Sequence, residues 1–224
     1  MARFKLTIQD HEAIKQAVAD AEAKTSGEIA TAIIPESNDY AIYELLFGVL
    51  VGFLYFVVMA FFYPAVDGWI QSLFWQYQPG YTVMFYGFST FLVITLCYFL
   101  ANVASIDRLI VPRSIMKEKV YQRAMRHFME SGVYNTRDRT GILIFISRLE
   151  RQVVLLADSG INEKIGKEQW NDIVQGVISG IKNRTLASSL CAAIATCGTL
   201  LSTHFPIQDD DVNELHDGLV ELER

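Results

Sequence analysis

Residues 45–62 read LLFGVLVGFLYFVVMAFF, and residues 81–103 read YTVMFYGFSTFLVITLCYFLANV. The hydrocarbon core of a bilayer is about 30 Å thick, and a helix needs about 20 consecutive apolar residues to cross it. Both stretches meet this requirement without a single Asp, Glu, Lys or Arg. We therefore predict two transmembrane helices, at residues 45–66 and 81–104, joined by a short external loop at residues 67–80.

The loop between the predicted spans is rich in aromatic side chains. It contains Trp69, Trp75 and Tyr77, and such amphipathic rings settle at the level of the lipid headgroups. The alternative is a helical hairpin buried in a large soluble core. The 158 residues outside positions 41–106 are too few to surround two such helices, so the sequence favours a membrane.

The residues outside the hairpin have the composition of a soluble domain. Residues 1–40 and 107–224 hold 42 of the 44 charged side chains, and we assign them to one discontinuous cytoplasmic domain. Residues 207–224 carry seven carboxylates and one base, which accounts for the whole net charge of −6. Because the rest of the chain is neutral, no nucleic acid is expected as a partner.

Basic residues indicate the orientation of the hairpin. Arg108, Arg113 and Lys117 follow the second span, whereas residues 67–80 contain no base. Lys and Arg stay preferentially on the cytoplasmic side, so both termini are predicted to be cytoplasmic in a multi-pass protein of the bacterial inner (plasma) membrane. We expect these three bases, with Arg148 and Arg151, to face anionic membrane lipid at about 1 kcal/mol per base.

The soluble residues alternate between helix and strand patterns. We predict helices at residues 7–24, 114–131, 166–181, 186–201 and 209–224, and strands at residues 28–35, 141–147 and 152–157. This order is typical of an α/β fold with helices on the faces of a sheet. Residues 185–206 are uncharged and form an alternative third span, but their many small side chains favour a helix packed on the sheet.

Several short motifs resemble those of the TPM domain family. They occur in order at residues 25–29 (TSGEI), 139–144 (RTGILI), 150–153 (ERQV) and 158–161 (DSGI), followed by Trp170. The family is named after a thylakoid acid phosphatase, a photosystem II repair protein and a receptor modulator. The resemblance implies an α/β/α sandwich with a small mixed sheet, acid phosphatase activity and a divalent metal in some members, and assembly or modulatory roles in others. The inserted two-helix hairpin departs from the family pattern.

Three carboxylates are predicted to lie at one edge of the sheet. If strand 141–147 runs parallel to strand 28–35 and strand 152–157 returns, Glu28, Asp138 and Asp158 all fall at the edge distant from the bilayer. Oxygen ligands of this kind suit Ca²⁺ or Mg²⁺. Arg137 and Arg139 lie beside them in the sequence and suit the phosphate of a substrate.

The same carboxylates have a plainer interpretation. Asp138 and Asp158 are next to turns, where short carboxylates accept backbone N–H groups, and Glu28 has arginines to pair with. In the metal interpretation Asp158 and Asp138 are catalytic, and Asp172 is a candidate fourth ligand. The four histidines have no metal-ligand spacing, and no base is identifiable beside Ser159.

Two functions follow from these patterns. The first is a membrane-anchored TPM-type protein that acts as a metal-assisted phosphatase on phosphate esters. The second is a non-catalytic accessory or assembly module for a membrane protein complex. Turnover of p-nitrophenyl phosphate, with and without Mg²⁺ or Ca²⁺, distinguishes the two.

Overall fold

The computed structural model describes residues 6–101, 104–208 and 212–223, in two compact units. One unit comprises Met1–Asn38 and Ser114–Arg224, and the other comprises Asp39–Arg113. The end of the predicted second span at residues 102–103 lies outside the described residues. So do residues 209–211 and 224 of the predicted acidic helix.

A four-stranded sheet in the order β3-β2-β1-β4 forms the centre of the first unit. Its strands are β1 (Glu28–Ile34), β2 (Gly141–Ser147), β3 (Gln152–Ala157) and β4 (Leu219–Glu221). As predicted, β1 and β2 are parallel and β3 returns antiparallel to β2. The apolar runs form strands because β-branched side chains pack well on a pleated surface. Every residue of β2, at the centre of the sheet, is buried.

Helices cover both faces of this sheet. They are α1 (Ile8–Glu22), α6 (Arg113–Glu130), α7 (Ser159–Asn162), α8 (Lys167–Asn183) and α9 (Leu186–His204), with a short 3₁₀ turn at Val133–Asn135. The α1, α8 and α9 helices share one apolar core with alternate residues of the strands. The other face is covered by α6 through Val120, Ala124 and Phe128. These layers confirm the α/β fold class.

The start of α1 follows directly from its sequence. The Thr7 hydroxyl accepts the N–H of Asp10 at 3.1 Å, and the Asp10 carboxylate accepts the N–H of Thr7 at 2.7 Å. This reciprocal capping box satisfies two N–H groups that lack partners within the helix. It also holds the pKa of Asp10 below its usual value through the backbone hydrogen bond from Thr7.

The prediction of an acidic helix at residues 209–224 is wrong for the part that the structure describes. There the chain forms β4, which lies parallel to β1 in the register Thr31↔Leu219 and Ile33↔Glu221. The spacing of Leu215, Leu219 and Leu222 fits a helical stripe. The open edge of β1 offers backbone partners instead, and Leu219 is buried in the core of the sheet.

In the described part of the chain, three helices are long and apolar enough to cross a membrane, as judged by length and composition: α2 (Ala41–Phe61), α4 (Pro79–Ala101) and α9. The α9 helix nevertheless turns a row of side chains towards the core of the sheet, including Leu190, Ile194, Cys197 and Leu201. This packing is what its many small residues predict. Burial raises the pKa of the Cys197 thiol to about 12.

The second unit contains α2, α3 (Tyr63–Leu73), α4 and α5 (Ala104–Ile110). The helix of the first predicted span ends at Phe61, and α3 begins at once with Pro64 in its first turn, where proline is tolerated. Asp67 lies in α3, within the predicted external loop. It accepts hydrogen bonds from Tyr77, which follows this helix, and from Thr82 of α4, at 2.5 and 2.6 Å. The Thr82 bond is the largest of the influences that lower the pKa of Asp67.

Candidate functional site

The amino end of β1 brings together three loops of the first unit. Glu28 is paired with Gly141 at the start of both strands, and its N–H donates to the carbonyl of Thr140 at 3.1 Å. Asp158 directly follows β3, and its N–H donates to the carbonyl of Gly141 at 2.9 Å. Asp138 belongs to the loop that enters β2. The three predicted carboxylates therefore stand at the same edge of the sheet.

Asp158 is held in one orientation by its own helix. It caps α7, where Oδ1 accepts the N–H of Ser159 at 2.6 Å and its hydroxyl at 3.2 Å. The other oxygen, Oδ2, is buried and accepts no hydrogen bond within the described residues, but it lies 3.9 Å from Nη1 of Arg139. The Asp158 side chain is 8% exposed and that of Arg139 is 55% exposed. The pair thus joins a fixed carboxylate to an exposed guanidinium.

The loop that carries Arg139 is held against α7 by close backbone contact. Arg139 has a left-handed backbone with φ of 56°, and its Nη1 donates to the carbonyl of Tyr134 at 3.1 Å. A Cβ on Gly160 would lie 2.8 Å from the Arg139 carbonyl oxygen and 2.9 Å from that of Asp138. Only glycine fits at this approach, which places Arg139 beside Asp158.

Arg137 contacts residues that the sequence analysis missed. Its N–H donates to both carboxylate oxygens of Glu214, at 3.0 and 3.2 Å. Its Nη2 donates to Gln208 at 3.3 Å and lies 3.9 Å from Oδ2 of Asp138. The Glu214 N–H in turn donates to Oε1 of Glu28 at 3.2 Å. Glu214 therefore links Arg137 to Glu28. The only sequence signal for this contact is the cluster of seven carboxylates in residues 207–224.

The predicted metal ligands do not form a metal cage. Asp172 lines a groove between α8 and α9 with Ser189 and Thr196, and Asp158 caps α7. Within residues 6–101, 104–208 and 212–223, no group of three His, Cys, Asp or Glu side chains could hold a metal ion. The described side chains therefore do not fit a divalent cation site.

The bases predicted to face lipid lie on the surface. Arg108, on α5, is exposed, as are Arg113 and Lys117 on α6. Arg151 is exposed at the β2–β3 turn, where its φ is 51°, and Arg148 is half-buried in the same turn. The Arg148 N–H donates to the carbonyl of Ile34 at 3.1 Å, which ties this turn to the end of β1.

Comparisons with known proteins agree with the fold. No curated protein matches the chain. The structure is similar to the solution structure of the BA42 protein from the psychrophilic bacterium Bizionia argentinensis, with a TM-score of 0.58, 18% identity and 99% of each chain covered. At this identity the likeness shows the fold alone. The TPM domain family model matches residues 103–199, a range that contains β2, β3, Asp138 and Asp158 but not Glu28. Residues 103–199 are therefore similar to a TPM domain.

Proposed function

We propose that this protein is anchored in the bacterial plasma membrane by α2 and α4, with its TPM-type domain and both termini in the cytoplasm. Both helices have the length and composition of a span. Exposed bases on α5 and α6 suit the anionic headgroups of the cytoplasmic leaflet. The family model does not include α2 or α4, so the support for anchoring comes from these helices themselves.

The function that the site supports best is the binding and hydrolysis of phosphate esters. The observation that carries it is the pair formed by Arg139 and Asp158 at 3.9 Å on the edge of the sheet. Arg137 lies in the same loop, with its side chain 47% exposed. Guanidinium groups bind phosphate oxygens with two parallel hydrogen bonds, and two of them offset the charge of a phosphate ester.

Asp158 and Asp138 are the candidate catalytic residues of this reaction. Because Oδ1 of Asp158 is hydrogen-bonded to Ser159, Oδ2 is the oxygen left to accept a proton from a water that enters beside Arg139. As the water oxygen bonds to phosphorus, the ester P–O bond breaks, and the proton taken up by Asp158 passes to the leaving alkoxide. The Arg139 guanidinium then faces the charge that develops on the phosphoryl oxygens. Besides its proposed catalytic role, Asp138 positions Gln208, from which it accepts a hydrogen bond at 3.4 Å.

Turnover of p-nitrophenyl phosphate by the purified full chain tests this proposal. We expect Asp158→Asn to lower kcat/KM by about 100-fold, the lower range for removal of a general base. Arg139→Asn should raise KM and keep the fold, because asparagine tolerates the left-handed backbone. Asp20→Asn makes the same chemical change at an exposed position of α1 and should leave turnover unchanged. Mg²⁺ and Ca²⁺ are added in separate arms to measure whether a divalent cation contributes.

The second candidate is a non-catalytic module that assists a membrane protein complex. It is supported by the exposed surface of the candidate site, where the side chains of Arg137 and Arg139 are 47% and 55% exposed. Phosphate binding without turnover, in every metal arm, would support this candidate. Turnover that does not respond to Asp158→Asn would remove the enzyme proposal.

A further inference from the structure

The segment after α9 crosses the edge of the sheet that carries the candidate site, and it is attached at both ends. At its start, Pro206 forms a bridge with Thr25, and the Ser26 N–H donates to the carbonyl of Phe205 at 3.2 Å. At its end, β4 pairs with β1, and the Leu222 N–H donates to the carbonyl of Ile33 at 2.8 Å. Its described residues in between, 207–208 and 212–218, lead from one attachment to the other.

Within this segment, Glu214 makes the contacts expected of a bound anionic ligand. Both of its carboxylate oxygens accept the backbone N–H of Arg137, at 3.0 and 3.2 Å. Gln208, from the same segment, accepts a hydrogen bond from Nη2 of Arg137 at 3.3 Å and donates one to Oδ2 of Asp138 at 3.4 Å. The Glu214 N–H is directed to Glu28 on the opposite side. The segment therefore contacts three of the residues assigned to the site.

The chemistry of these contacts matches that of a phosphate oxygen. A backbone N–H beside a guanidinium binds carboxylates and phosphates through the same charge-assisted hydrogen bonds. We propose that Arg137 forms an oxyanion site that Glu214 occupies in the resting protein, so that the acidic segment competes with a phosphate ligand. This inference rests on the proposed binding of phosphate at Arg137 and Arg139, and it adds how that site is regulated.

The attachments of the segment are weak enough for such competition. The hydrogen bonds from Arg137 to Glu214 are exposed, and β4 pairs with β1 over only three residues. The net contribution of an exposed hydrogen bond to stability is small, so a bound phosphate of modest affinity offsets its loss. The described residues 212–223 carry four carboxylates, whose charge opposes an incoming anion for as long as they lie there.

Calorimetric titration of the full chain in detergent with inorganic phosphate tests the inference. Glu214→Ala should bind phosphate about tenfold more tightly than the unsubstituted protein, which is the effect of one charge-assisted hydrogen bond. Glu223→Ala is the matched control, because it removes the same charge from an exposed position of the same segment. Its affinity should stay within about twofold of the unsubstituted protein. Glu214→Asp, which shortens the carboxylate and keeps the charge, should fall between the two.

Hydrogen exchange provides a second readout that does not need a variant. Saturating phosphate should speed amide exchange in residues 212–223 of the unsubstituted protein, because the segment leaves its contacts. Equal phosphate affinities of the unsubstituted protein and Glu214→Ala, with no change in exchange, would overturn the inference and leave the phosphate site standing. If neither protein binds phosphate, the proposed function itself fails, and the inference fails with it.

Discussion

Substitution of Gly160 by alanine tests the packing that holds the candidate site together. The new Cβ would lie 2.8 and 2.9 Å from two backbone carbonyl oxygens, of Arg139 and Asp138. Ordinary van der Waals contact begins near 3.4 Å, so the two backbones must separate by about 0.5 Å. Overpacking of this kind costs about 1–3 kcal/mol. For a chain of this size that corresponds to a fall in Tm of about 2–10 °C.

The sign of this effect makes the test specific. Gly160 is inside a helical turn and has no positive φ, so intrinsic propensity alone would make alanine stabilising. Gly176→Ala in α8 is the matched control, because nothing lies within 4 Å of its added Cβ. We expect the control to gain about 0.5–1 kcal/mol.

Thermal unfolding followed by circular dichroism, with phosphate titration of the same samples, measures both consequences. Gly160→Ala should also weaken phosphate binding, because the displaced loop carries Arg137 and Arg139. A Gly160→Ala protein as stable as Gly176→Ala, with unchanged phosphate affinity, would refute the close approach of the two loops.

Two further predictions concern other parts of the molecule. His127 lies buried on α6 against the ring of Phe145, and burial, followed by the charge of Arg123, holds its pKa below the usual value, against a smaller opposing effect of Glu130. Because the folded state binds the proton less readily than the unfolded chain, stability is complete above a pH of about 6.5 and falls below it. His127→Gln should flatten denaturation midpoints measured between about pH 7 and 5, and an unchanged slope would contradict this. In the second unit, a Cβ on Gly52 would overlap Cγ1 of Ile94, so Gly52→Leu should loosen α2 from α4 and increase proteolysis in detergent. Gly87→Leu, with nothing within 4 Å, should not.

The centre of the fold could be predicted because its signals are local. The apolar, β-branched runs of β1, β2 and β3 favour strands, and the four residues between β2 and β3 are too few for anything but a turn. The capping box at Thr7 and Asp10 fixes the start of α1 in the same way. Parallel pairing of β1 and β2 follows from the crossover between them.

The terminal segment could not be predicted because its structure depends on distant residues. A strand of three residues has no stability of its own, and β4 exists through its pairing with β1 about 190 positions earlier in the chain. In isolation, the spacing of Leu215, Leu219 and Leu222 fits a helix equally well. Topology brings Glu28, Asp138 and Asp158 to one edge, but it does not direct their oxygens to a common point, and no group of three such side chains in the described part of the chain is placed to hold a metal ion.

That distant pairing also changes what the charge of the chain means. In the sequence, the acidic end and the arginine pair at residues 137 and 139 are unrelated features, and the first accounts for all of the net charge. In the structure, Glu214 accepts the N–H of Arg137 at 3.0 Å, so the acidic segment meets the loop expected to bind anions. We therefore expect a substitution that removes a carboxylate from this segment to change ligand affinity as well as solubility. If Glu214 competes with an anion as proposed, pairing of β4 with β1 and anion binding are thermodynamically linked, so each changes the free energy of the other.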